Sequence, residues 1–165
     1  MPDAFHPITG YDPENVARSE VFEIDAPASV VWEILTDLPK YGEWNPFCVR
    51  AESTLEIGAP IHMYLTNFWN DQIKLNIEYV CANDPEKMLS WGLEHTPEWP
   101  YAARRDQILT ALGPDRCAYE SIDAFYGDTG THVMRFCGEW VAEAFNRTAK
   151  ALKARAEAMY AERRA

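Results

Sequence analysis

The chain has 165 residues, 47% of them hydrophobic, which is enough for one folded domain and too apolar for a disordered protein. Its formal net charge of −11 argues against duplex nucleic acid or an anionic membrane as partner, because both require a basic surface. Such an acidic surface also repels highly anionic substrates. We therefore expect a neutral or weakly charged partner.

The first part of the chain predicts an arm, a strand and two short helices. Residues 1–18 are rich in Pro, Asp and Gly and show no periodicity, so we expect an N-terminal arm before a single domain at 19–165. A short strand follows at 20–25. Apolar residues at helical spacing over 30–38 then predict a helix that begins near Pro27 and ends before Pro39. A second short helix or turn covers 41–44.

From Phe47 to Tyr126 the pattern changes to strands joined by turns, at about 47–54, 60–67, 71–82, 87–94, 103–112 and 117–126. Consecutive strands joined by tight turns are antiparallel. A long amphipathic helix follows from about Thr131 to the end. The predicted fold is α+β, with a curved seven-stranded antiparallel sheet wrapped around the C-terminal helix. Between the sheet and the helix we expect a ligand cavity.

The segment IDAPASVVWEILTD at 24–37, with WNPF at 44–47, LSW at 89–91 and DAFYG at 123–127, resembles the START-like (SRPBCC) superfamily. That superfamily includes polyketide cyclases and dehydrases, plant pathogenesis-related allergens and lipid-transfer domains. It usually has Glu where this chain has Asp123. The resemblance implies a helix-grip fold with a deep apolar cavity for a hydrophobic or aromatic small molecule. It also implies that any catalysis proceeds without a metal or an organic cofactor.

Other chemistries lack their sequence signals. The four histidines are far apart, and no phosphate-binding loop or G-x-S-x-G elbow is present, so we expect neither metal nor cofactor. The four cysteines are widely spaced, and the amino end lacks the basic and apolar regions of a signal peptide. No apolar stretch is long enough for a membrane span. We therefore expect a cytoplasmic protein without membrane insertion.

Four residues are candidates for proton transfer or carbonyl polarisation. Asp71 shares the alternating face of 73–79, which would put it at the rim of the concave surface, although a turn aspartate after Asn70 is favoured. Arg105 on the sixth strand and Asp123 on its neighbour could form a buried pair that polarises a carbonyl, or an exposed ion pair. Tyr64 alternates with apolar residues that favour the core, which would leave Tyr64 outside.

Candidate ligand contacts are mostly aromatic. Large apolar side chains in the turn at 67–70 and the loop at 94–101 indicate a binding mouth, with a homodimer contact as the alternative. Residues such as Trp91 and Trp140 are more often core packing than ligand platforms, so core packing is favoured for these two. The predicted ligand-binding residues are Trp69, Trp91, Trp99, Tyr101, Tyr79, Phe125, Cys137, Trp140 and Val141.

Three functions remain open from the sequence. The favoured one is an enzyme of polyketide cyclase/dehydratase type, which would hold a carbonyl-rich or aromatic substrate and supply a few proton-transfer groups. A non-catalytic carrier or sensor of a hydrophobic molecule is the second. A co-chaperone-like domain that binds a protein is the third, since activators of the heat-shock ATPase share this fold.

Overall fold

The computed structural model describes residues 11–93, 102–127 and 129–165. Two short strands come first, followed by a helix, six further strands and a long helix. The elements are β1 (Val16–Arg18), β2 (Phe22–Ile24), α1 (Ala28–Thr36), β3 (Cys48–Glu52), β4 (Pro60–Thr66), β5 (Ile73–Asp84), β6 (Met88–Leu93), β7 (Ala102–Gly113), β8 (Arg116–Tyr126) and α2 (Gly130–Arg164). Short 3-10 helices precede β1 at Pro13–Asn15 and follow α1 at Leu38–Glu43.

All strands belong to one antiparallel sheet, in the order β1-β8-β7-β6-β5-β4-β3, with β2 also paired to β8. The register shifts between β3 and β4, between β5 and β6, and between β7 and β8. Bulges of this kind bend and twist strands, so the sheet curves. The predicted α+β architecture is confirmed. The predicted first strand at 20–25 corresponds to β2, and the additional strand β1 lies in the segment predicted as an arm, which gives eight strands instead of seven.

Helix α2 crosses the concave side of the sheet. Its buried positions, which recur every three or four residues along one face, are Gly138, Val141, Ala144, Phe145, Thr148, Ala149, Leu152 and Ala156. The start of the helix is packed closely on β8, because a Cβ at Gly130 would lie 2.6 Å from the carbonyl oxygen of Phe125. The helix therefore forms one wall of the interior and the sheet forms the other.

The N-terminal segment is part of the fold from residue 11. Val16–Arg18, which we expected in the arm, pairs with β8, and Ala17 is 1% exposed. Asn15 Nδ2 donates to Thr131 Oγ1 of α2 at 3.1 Å, and the Tyr11 ring meets the Tyr126 ring edge-on. A three-residue strand is too short to show a period in the sequence, which is why composition alone placed it in the arm.

Candidate functional site

Three ionisable side chains lie on the concave face of the sheet. Arg105 is on β7, and Asp123 is its direct cross-strand neighbour on β8. Glu78 is on β5, separated from them by β6, whose Trp91 is paired with Arg105. The charges of Arg105 and Asp123 both act on the pKa of Glu78, so the three groups form one electrostatic cluster. We call Glu78, Arg105 and Asp123 the polar cluster.

Arg105 is the cation of the polar cluster and is 6% exposed. Its Nε donates to Ser121 Oγ at 3.0 Å, and its guanidinium carbon lies 4.2 Å from the centroid of the Phe145 ring and 5.7 Å from that of Trp91. Contacts of this kind stabilise a cation through the ring quadrupoles. Arg105 and Asp123 both belong to the part of the chain that the structure describes, and their side chains form no ion pair with each other. The predicted Arg–carboxylate pair is therefore a pair of neighbours without a direct salt bridge.

The two carboxyls of the polar cluster titrate near neutral pH. Burial raises the pKa of Asp123 to about 7, against the opposing charge of Arg105. Burial also raises the pKa of Glu78 to about 8, and the charge of Asp123 adds to this shift. Asn76 Nδ2 donates to Glu78 Oε1 at 2.8 Å, which favours the ionised form and limits the rise. Groups with pKa values near the working pH are suited to general acid and base catalysis.

A neutral hydrogen-bond network surrounds Arg105. The hydroxyl of Tyr119, which is fully buried, donates to Gln107 Oε1 at 2.9 Å. Burial raises the pKa of Tyr119, and the charge of Arg105 and hydrogen bonds from Ser121 and Arg105 partly offset this. The network fixes the side chains on both sides of the guanidinium.

Aromatic rings connect the interior with the β4–β5 turn. The Phe47 ring centroid lies 5.6 Å from that of Trp140 and 6.3 Å from that of Phe145 on α2, and 6.1 Å from that of Phe68 in the turn. Trp69, which is 77% exposed, lies 6.0 Å from Trp140. The rings thus form a continuous apolar wall from Arg105 to the surface.

Several side chains on the concave side of the sheet are only partly buried. Side chains that face α2, such as Leu65, Glu78 and Asp123, keep part of their surface accessible, and so does Cys137 on the helix. Further along the sheet, Ile61, Leu89 and Tyr119 on the same face are fully buried. The partly accessible surface therefore lies beside the first half of α2, next to the polar cluster.

Most of the predicted ligand-binding residues lie around this partly accessible surface. Trp91 contacts Arg105, and Phe125 packs with Val141 and the flanking residues Cys137 and Trp140 in one apolar cluster. Burial raises the pKa of the Cys137 thiol, with a smaller contribution from the charge of Asp123. Trp69 lies at the outer rim. The predicted residues Trp99 and Tyr101 lie outside the described residues.

Three predicted site residues lie elsewhere, which corrects their assignment. Asp71 is exposed in the β4–β5 turn with a φ of 55°, so the turn interpretation holds. Tyr79 is 51% exposed on the convex face of β5. Tyr64 is on the convex face of β4, where the guanidinium of Arg50 covers its ring at 5.0 Å. The error for Asp71 and Tyr79 has one cause: the apolar side of β5 faces outward.

Because the polar side of β5 faces the interior, Glu78 and Asn76 were not predicted as site residues. Alternating apolar and polar residues predict that the apolar set faces the core. In β5 the exposed set is Ile73, Leu75, Ile77 and Tyr79. The pairing of Ile61 with Glu78 and of Met63 with Asn76, where both β4 residues are core residues, would have revealed the orientation, but register is not readable from a single sequence.

The described part of the chain offers neither a cluster of metal ligands nor a membrane-spanning helix. Within residues 11–93, 102–127 and 129–165, no three His, Cys, Asp or Glu side chains are grouped as potential metal ligands. No helix in the described part of the chain has the length and apolar character needed to cross a membrane.

Comparison of the fold with solved structures gives extensive matches at low sequence identity. The Zhui aromatase/cyclase from a Streptomyces species superposes with a TM-score of 0.66 at 18% identity, over 86% of this chain and 94% of that one. A START superfamily protein from Mycobacterium smegmatis gives a TM-score of 0.63 at 18% identity, over 87% and 98%. This chain has the START-like fold. The helix-grip fold that the resemblance in the sequence implied is thereby confirmed.

The START-like fold is also found in a plant enzyme, the Thalictrum flavum norcoclaurine synthase, with a TM-score of 0.60 and 12% identity over 91% of this chain and 96% of that one. A family model described as polyketide cyclase/dehydrase and lipid transport matches residues 24–78. That segment extends from β2 to Glu78 of the polar cluster. A comparison with curated protein sequences gives no significant match.

Proposed function

We propose that the protein binds a hydrophobic or aromatic small molecule between the concave face of the sheet and α2, and that it catalyses cyclisation or dehydration there without a cofactor. The observation that carries the proposal is the polar cluster. One cation and two carboxyls with pKa values near neutrality adjoin an aromatic wall and side chains that keep part of their surface accessible. Strongly shifted pKa values at one place favour a functional site.

The three groups of the polar cluster match the needs of a dehydration. The Arg105 guanidinium would polarise a substrate carbonyl and stabilise the negative charge that develops on its oxygen. Asp123, whose pKa of about 7 is the lower one, would accept the proton from the carbon next to that carbonyl. The electron pair moves onto the oxygen as an enolate. Re-formation of the carbonyl expels the β-hydroxyl, which leaves as water with the proton of Glu78, whose pKa is about 8.

The proposal is supported by what the structural relatives do, since aromatase/cyclases are among the proteins with this fold. Their low identity restricts that support to the architecture. The assignment of roles therefore depends on the chemistry of Glu78, Arg105 and Asp123 in this chain.

Turnover of a model substrate tests the proposal. The aryl β-hydroxy ketone 4-hydroxy-4-phenylbutan-2-one loses water to give a conjugated enone, whose absorbance reports the rate. We expect the protein to accelerate this reaction, and Asp123→Asn and Glu78→Gln each to lower kcat/KM by about 10²- to 10⁴-fold, the contribution of one general acid or base. Asp71→Asn, which alters an exposed carboxylate in the β4–β5 turn, is the matched control and retains the wild-type rate. Wild-type rates in both interior variants would refute the assignment.

A non-catalytic carrier or sensor is the alternative, and the aromatic wall formed by Phe47, Phe68, Trp140 and Phe145 favours it equally. Native mass spectrometry of gently purified protein separates the two. A carrier retains a discrete bound mass that Asp123→Asn leaves in place and Val141→Asp removes. An enzyme turns over the ketone, and Asp123→Asn abolishes that turnover.

We place this activity in the cytoplasm, with support from the four cysteines, which are all free thiols in the structure. The homodimer considered from the sequence stays a prediction. The exposed apolar stripe of β5, residues 73–79, is the surface on which a dimer contact would be sought.

A further inference from the structure

Two hydrogen-bond donors on the concave face of β7 are buried without an acceptor. They are Nη2 of Arg105 and Nε2 of Gln107, on side chains that are 6% and 2% exposed. Neither atom has a hydrogen-bond partner among the described residues. Because the two residues are separated by one position on a strand, their side chains leave the same face of the sheet about 7 Å apart at the backbone.

One other polar atom of each side chain, Arg105 Nε and Gln107 Oε1, is already engaged, and this limits the direction of the free donors. Arg105 Nε donates to Ser121 Oγ, and Gln107 Oε1 accepts from the Tyr119 hydroxyl. The Gln107 amide is therefore held with its oxygen toward Tyr119 and its NH₂ group away from it. The guanidinium carbon is held over the Phe145 ring, 4.2 Å from its centroid, by the cation–π contact.

Leaving a buried donor without an acceptor costs about 1–3 kcal/mol, and more for a charged group. No described residue supplies the missing acceptor in the folded protein. An oxygen atom placed between the two donors would accept from both and offset this cost. Only acceptors are missing at this place, because both free atoms are hydrogen-bond donors. The complementary group is therefore an oxygen acceptor, and the positive charge of Arg105 favours an anionic one.

We propose that Arg105 Nη2 and Gln107 Nε2 together bind a carboxylate or enolate oxygen of the ligand, and so orient it with its oxygen toward β7 and its aromatic body toward Trp140 and the β4–β5 turn. This inference deepens the proposed function and rests on it. It assigns to Gln107 a positioning role that the dehydration scheme does not require, and it defines the ligand class as an aromatic molecule with one acidic or enolisable oxygen. In the dehydration, Gln107 would share the enolate oxygen with Arg105.

The affinity ratio of two matched probes tests the proposal. Dissociation constants are measured for 2-naphthoate and for 2-methylnaphthalene, which share the ring and differ in the oxygen group. We expect wild-type protein to prefer naphthoate. Gln107→Met, which keeps the length of the side chain and removes its NH₂ group, lowers this preference by about tenfold, the effect of one hydrogen bond to a charged group. Thr110→Met, on the opposite face of the same strand, is the control and leaves the ratio unchanged.

The ratio isolates the oxygen contact from general damage to the interior, since loss of packing would weaken both probes alike. An unchanged ratio in Gln107→Met, with both probes still bound, overturns the oxygen site and leaves the proposed function standing. Equal weakening of both probes also overturns it, because Gln107 would then serve only the packing. If neither probe binds the wild-type protein, the proposed function fails and this inference fails with it.

Discussion

The raised pKa values of the two carboxyls of the polar cluster lead to a specific prediction about how stability depends on pH. In the folded protein the pKa of Asp123 is about 7 and that of Glu78 about 8, whereas ordinary values for Asp and Glu in an unfolded chain are about 4. Between these values the folded state retains protons that the unfolded state has lost. Stability from these groups is therefore fully present below about pH 4 and is lost as the pH rises through 7 and 8.

The size of the effect follows from proton linkage. While a carboxyl is protonated in the folded state and ionised in the unfolded state, it lowers the free energy of unfolding by about 1.4 kcal/mol per pH unit. Between about pH 5.5 and 6.5 both carboxyls of the polar cluster meet this condition. Asp123→Asn removes one of them, so the slope of stability against pH should become less negative by about 1.4 kcal/mol per unit. Glu78→Gln should have the same effect, and the double variant about twice that.

Urea unfolding followed by tryptophan fluorescence, repeated across this pH range, measures the slope. Glu139→Gln, which removes one exposed carboxylate from α2, is the matched control for the change in net charge. A slope in Asp123→Asn that equals the wild-type slope would refute the raised pKa. A change as large in Glu139→Gln would show that net charge, and not burial, causes the effect.

Three further predictions concern the fold, and urea unfolding checks each. Gly92→Ala should destabilise the protein by about 1–3 kcal/mol, because the added Cβ would lie 2.4 Å from the carbonyl oxygen of Ala103 on β7, and near-wild-type stability would contradict this close approach. Tyr41→Phe should lower the free energy of unfolding by about 1 kcal/mol, since the Leu35 carbonyl loses its donor at 2.6 Å; no change would contradict it. Asp71→Gly should stabilise by up to about 1 kcal/mol, because Asp71 has a φ of 55°, and a clear loss would refute that account.

The sequence was sufficient for the architecture because each element has a strong local signal. The apolar period of α1 and α2, the proline at each end of α1, and the turns between strands agree with one topology. Consecutive antiparallel strands form one sheet whose concave face is apolar and must be covered. The long C-terminal helix is the element that can cover it, so few arrangements are possible. Strand β1 escaped detection because it has only three residues, too few to show a period.

The site was only partly predictable, because it departs from the rule that apolar residues face inward. Arg105 and Asp123 could be proposed, since a charge had to lie on either face of β7 and a partner was available on the neighbouring strand. Glu78 could not, because β5 turns its polar side to the interior and its apolar side outward. Burying Glu78 opposes folding above neutral pH, and such a local conflict is expected where a residue serves function.

The central claim is that a small aromatic molecule binds inside the fold, and intermolecular NOEs between 2-naphthoate and methyl-labelled protein test it most directly. Saturable binding with NOEs to the methyl groups of Val141 and Leu65 is the predicted result, because both residues belong to the apolar cluster beside α2. NOEs confined to Ile73, Leu75 and Ile77 would place the molecule on the exposed stripe of β5 instead. That result, or the absence of saturable binding, would contradict the account.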